Sequence, residues 1–83
     1  MPSEDERRAI LEFKARHYAT WPDERLPALK GRTPRQAVRT TAGRTAVLEL
    51  IRDMENDEAR EAKAGHPAFD FSVLRRELGL EEQ

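Results

Sequence analysis

Thr33-Pro34-Arg35-Gln36, followed by Ala37-Val38-Arg39-Thr40-Thr41 and then Ala42-Gly43-Arg44-Thr45-Ala46-Val47-Leu48-Glu49-Leu50-Ile51-Arg52-Asp53-Met54, is the stretch that decides the fold. Two helix starts follow one another here. Thr33 suits an N-cap, Pro34 suits the first helical position, where no N–H is needed, and Gln36 can close a capping box. The spacing predicts a short helix over 34–39 with Ala37 and Val38 facing inward. Thr40 and Thr41 offer the next N-cap, and a longer helix over 42–64 carries Val47, Leu50, Ile51 and Met54 at i, i+3, i+4 and i+7. Helical periodicity of this kind, repeated on either side, predicts an all-α fold.

Upstream, Ser3 and Glu6 form a second capping box that opens a helix over 4–20. Ile10, Phe13, His17 and Trp21 make its stripe, flanked by Leu11, Ala15 and Tyr18. Pro22 ends it, because the residue before a proline avoids the α region. A connector over 22–32 follows, punctuated by Pro22, Pro27 and Gly31; Leu26, Ala28 and Leu29 require burial, so it should lie pinned across the core. Downstream of Met54 the apolar pattern stops, and 55–63 reads as a solvated helical extension prone to fraying. Gly65-His66-Pro67 terminates it. Asp70 can cap a last helix over 71–78, with Phe69 stapled to Leu74, and Gly79-Leu80 has the form of a Schellman closure.

The expected architecture is a small single-domain bundle of about four helices spanning 1–83, with the first and third as the main packed pair. The expected core comprises Ile10, Leu11, Phe13, Tyr18, Trp21, Leu26, Leu29, Val38, Val47, Leu50, Ile51, Met54, Phe69, Val73, Leu74 and Leu78. That is a thin supply for four helices, and so small a domain gains from a second surface to bury against. Leu48, Phe71 and Leu80 fall off the main stripes. Exposed, they would form an adhesive patch for a partner; otherwise each covers a local gap.

Composition narrows the function. The 83 residues include 15 Lys+Arg and 16 Asp+Glu, for a net charge of −1, and no Cys. Without Cys there is no disulfide framework and no thiolate metal site, and the cytoplasm is the expected compartment. No apolar run approaches a membrane span, and the acidic start lacks the apolar stretch of a signal peptide. His17 and His66 lack the company that catalysis or metal binding requires, and Ser3, Ser72, Thr33, Thr40 and Thr41 are explained by positions at helix starts. No cofactor motif is present, and no enzyme is expected. Charge is polarised: Lys30, Arg32, Arg35, Arg39, Arg44 and Arg52 stand against Glu49 alone, a net +5, whereas residues 53–61 carry a net −4. The basic region either meets an acidic partner or nucleic acid, through Arg32, Arg35, Arg39 and Arg44, or pairs within the fold. No aromatic is interleaved with these arginines for base stacking.

The run Trp21 … Leu26-Pro27-Ala28-Leu29-Lys30-Gly31-Arg32-Thr33-Pro34-Arg35-Gln36-Ala37 … Gly43-Arg44 … Val47 … Leu50-Ile51 resembles the toxin-binding domain at the C-terminus of Xre/MbcA/ParS-type bacterial antitoxins. It is also similar to short helical modules that end larger bacterial proteins. The likeness covers about residues 21–54. It implies that Ala28, Leu29, Gly31 and Pro34 are architectural and that the surface around them binds another protein, such as a co-encoded toxin. The function expected is non-catalytic protein–protein interaction, with a second copy or a co-encoded protein as partner. The alternatives are a nucleic-acid-contacting accessory domain and a purely structural terminal module of a larger chain.

Overall fold

A computed structural model describes residues 2–81. Its described elements are α1 (Glu4–Ala19), two 3-10 turns (Trp21–Asp23 and Pro27–Leu29), α2 (Pro34–Ala37), α3 (Thr41–Lys63) and α4 (Ser72–Glu77). The protein is a small all-α bundle, as the periodicity predicts.

Local chemistry places the helix starts. Ser3 Oγ accepts from Glu6 N at 3.1 Å while Glu6 Oε1 accepts from Ser3 N at 3.3 Å. Thr33 and Gln36 make the same reciprocal pair at 3.1 and 3.0 Å. Thr40 Oγ1 accepts from Gly43 N at 3.0 Å and caps α3. At the other end of the chain, Gly79 takes a left-handed φ of 71°. There Leu80 N donates to Arg75 O at 2.8 Å and Gly79 N to Arg76 O at 3.2 Å, the pair of hydrogen bonds of a Schellman closure.

Between α1 and α2 the connector folds back on itself. Leu26 N donates to Arg32 O and Gly31 N to Leu26 O, with Lys30 held at φ 59° to complete the tight return. Leu29 is thereby driven into the core, where it is 2% exposed. α2 then crosses close beneath α3. A Cβ built on Gly43 would stand 1.8 Å from Ala37 O, so only glycine permits this approach.

The core joins Trp21, Leu29, Ala37, Val47, Ile51, Phe71, Leu74, Leu78 and Leu80, with Tyr18, Leu26, Val38, Leu50, Met54 and Phe69 packed around it. Several expectations need correction. α1 and α3 are not the main packed pair: α1 buries no residue completely and leans chiefly on the Trp21–Asp23 turn, while α3 is packed by α2 and the Pro27–Leu29 turn. The reason lies in α1's inward stripe, which is Ile10, Lys14 and Tyr18, a set centred on a lysine. Leu11 and Phe13 therefore lie on its flanks, 38% and 64% exposed. In α4 the Asp70–Ser72 turn sets a register that points Phe71, Leu74 and Leu78 inward and leaves Val73 exposed.

Most of the 55–63 segment is exposed, as a solvated extension would be, and polar contacts gather on its two enclosed residues, Glu55 and Glu58. Glu58 is 6% exposed, and its Oε1 accepts from Lys14 Nζ at 2.9 Å and from Phe69 N at 2.8 Å. Lys14 Nζ donates further to Glu61 Oε2 at 2.8 Å and to Pro67 O at 3.0 Å. Arg75 grips Glu55 through both guanidinium nitrogens, tying α4 to α3. Polar contacts here take the place of the missing apolar stripe.

Candidate functional site

Leu50, Asp53, Met54 and Asp57 share one face of α3 at i, i+3, i+4 and i+7. The connector faces them. Trp21, fixed by the 3-10 turn that Pro22 initiates, and Leu26-Pro27-Ala28, held by the Leu26–Arg32 return, complete a groove of about 290 Å³. Trp21 is nearly buried at the base, Leu26, Leu50 and Met54 are half-buried, and Pro27 and Ala28 are exposed at the lip. Asp53 and Asp57 provide the rim. Asp57 pairs with Arg60 one turn on, whereas Asp53 has no ion-pair partner among the described residues.

The groove's lining carries no hydroxyl, thiol, imidazole or amide side chain. What it can do chemically is remove apolar surface from water and attract positive charge. Larger hollows exist elsewhere. One, of about 470 Å³, is a shallow trough along α1 lined by Glu4, Arg7, Arg8, Leu11, Glu12 and Ala15; it belongs to one helix, is open to solvent, and mixes both charges. Another, of about 360 Å³, lies between Leu48, Arg52, Arg75 and Leu80. Among the described residues no group of three His, Cys, Asp or Glu side chains is placed to hold a metal ion, and no helix is long and apolar enough to cross a membrane.

The trio Leu48, Phe71 and Leu80 is divided. Phe71 and Leu80 are core residues, 2% and 5% exposed, because the Schellman closure turns Leu80 inward and the α4 register does the same for Phe71. Leu48 stays partly exposed beside Leu80. Phe71 instead completes an aromatic cluster with Tyr18 and Phe69, with ring centroids 4.8–5.1 Å apart. His17 is exposed and stacks on Phe13.

The four arginines are mostly occupied within the fold. Arg35 bridges Asp23 at 2.9 Å and Glu77 at 3.0 Å, and its hydrogen bond holds the Asp23 carboxyl below the usual carboxylate range. Arg32 donates to Leu29 O and Arg44 to Gly79 O. Arg39 alone of the four has a side chain without a hydrogen bond or ion pair to a described residue. Glu55 is lowered by its Arg75 hydrogen bond and Glu61 by Lys14. Burial pulls Lys14 down, but its bonds and charge interactions with Glu58 and Glu61 outweigh that and raise it overall.

Sequence reasoning counted Trp21, Leu26, Leu50 and Met54 as core and missed that they line one groove. The available signal was the apolar face at Leu50 and Met54 continuing into Asp53 and Asp57. Comparison with family models, with curated proteins and with solved structures finds no match for the chain.

Proposed function

We propose that this chain is a non-catalytic protein-interaction module, acting in a bacterial cytoplasm, whose docking surface is the groove between α3 and the connector. The observation that carries the reading is a concave, largely apolar lining without hydroxyl, thiol, imidazole or amide side chains, formed by half-buried Leu26, Leu50 and Met54 around Trp21. The resemblance of residues 21–54 to antitoxin toxin-binding domains supports the same surface, since the groove is built from that stretch. A co-encoded toxin is the partner this likeness suggests. The internal engagement of Arg32, Arg35 and Arg44 speaks against the phosphate-binding alternative.

Affinity capture from the native host, run at low and high salt with the unaltered chain and with Ala28→Phe, tests the reading. Ala28 is exposed at the groove lip, so a phenyl ring there fills the groove without disturbing the core. A protein held at high salt and lost with Ala28→Phe supports docking, and a small enzyme as that protein favours the antitoxin version. Capture unaffected by Ala28→Phe overturns the groove as the site. Nucleic acid released by salt promotes the arginine surface instead, because phosphate contacts weaken steeply with ionic strength. If nothing is held, the structural-module reading replaces docking.

A further inference from the structure

Resting on the docking reading, we infer that the groove takes a peptide segment in which a large apolar side chain is flanked by Lys or Arg. The lining is apolar on its floor and carries two carboxylates, Asp53 and Asp57, and no cation. These carboxylates are one helical turn apart on the same face of α3, a rise of about 6 Å. Asp53 has no ion-pair partner among the described residues, and Asp57 is held only by exposed Arg60, a pair that solvent screens heavily. An anionic or neutral segment would leave Asp53 unpaired beside a newly buried apolar contact. A cationic one supplies the missing charge and keeps its own head in water along the rim. Apolar anchor and charge thus play different parts: the anchor supplies affinity, and the flanking cation decides which anchors are admitted.

The wider +5 stretch does not contradict this polarity. Its arginines Arg32, Arg35 and Arg44 are turned to Leu29 O, to Asp23 and Glu77, and to Gly79 O, and none lines the groove. Lys30, Arg39 and Arg52 do not line it either, so the charges in the lining itself are those of Asp53 and Asp57.

Selection of a random displayed peptide library on the full chain, followed by titration of the enriched peptide, is the test. The expected result is enrichment of Lys or Arg beside Leu, Ile, Phe or Trp. The enriched peptide should weaken about five- to twenty-fold on Asp53→Asn with Asp57→Asn together, the size of two exposed ion pairs. It should also weaken with added salt, and Ala28→Phe should abolish its binding. Peptides that are acidic or uncharged, or that ignore the two asparagine substitutions, overturn the charge rule while leaving docking intact if Ala28→Phe still blocks them. Peptides insensitive to Ala28→Phe, or no enrichment at all, overturn both. Circular dichroism of each variant, matching the unaltered chain, keeps a folding defect from imitating a binding loss.

Discussion

Gly43 shows how much of this fold turns on a single missing atom. Its Cα lies against the Ala37 carbonyl, and any Cβ would overlap that oxygen. The neighbour is backbone, so relief requires moving α2 off α3 and opening the contact that buries Ala37 and Val47. Gly43→Ala, which in an exposed helix would be favourable, should here lower stability by about 3 kcal/mol, the scale of overpacking in a close-packed core. Urea unfolding measures it, and a variant as stable as the parent would contradict the close crossing. The same scale marks where sequence reasoning works and where it stops. Ser3 with Glu6 and Thr33 with Gln36 were legible because a capping box is chemistry between near neighbours. Gly43 was not, because its reason is a carbonyl on another helix.

Among the elements, α1 is the one whose attachment is unusual. Sixteen residues bury none of their number completely. They are held by Tyr18 in the aromatic cluster, by Arg7 donating to Gly65 O, and by Lys14 reaching Glu58, Glu61 and Pro67 O. Removing the lysine leaves the buried Glu58 carboxylate without its counter-charge, a cost of about 3 kcal/mol for a pair this enclosed. Lys14→Met should therefore release α1 before the remainder unfolds, seen as lost amide-exchange protection over 4–19 with protection retained over 41–54. Equal loss in both would show α1 to be integral to one cooperative unit. Acidity should act in the same way. Glu61 is lowered in the folded state, so its contribution is present above the ordinary carboxylate range and disappears as pH falls through its lowered value. Lys14 is raised, so its contribution is complete below the ordinary lysine value and is lost only as pH rises beyond it. Exchange protection of α1 should thus be flat through neutrality and fail first below about pH 4; failure beginning near neutrality would contradict the clamp. Helix bounds were close to legible from Pro22, the two threonine caps and Gly65. Which face of α1 points inward was not, since hydrophobic periodicity has no way to nominate a lysine.

For the whole molecule, shape and core size point the same way. The extents are 42 × 25 × 20 Å and the radius of gyration is 13.9 Å, against about 12 Å for a compact globule of this length. The long α3 is the spine, and among the described residues a core of nine buried apolar side chains occupies little of its length. Apolar surface is left over beside it, and part of it lines the groove between Leu50, Met54 and the connector. Sequence reasoning anticipated a chain with too little core and a need for a second surface, yet it placed that surface at Leu48, Phe71 and Leu80. The Schellman turn and the α4 register, both decided by backbone geometry downstream of Asp70, took two of those three inside. The most direct test of the docking claim is a nuclear magnetic resonance titration of the labelled chain with its captured partner. Trp21, the single tryptophan, and the Met54 methyl provide isolated probes at the base and wall of the groove. The largest shifts should fall on the Trp21 indole N–H, the Met54 methyl and the Leu26 and Leu50 methyls, with α1 little changed. Shifts gathered instead around Arg39, or on the outer face of α1 at Leu11 and Phe13, with Trp21 and Met54 unmoved, would contradict it.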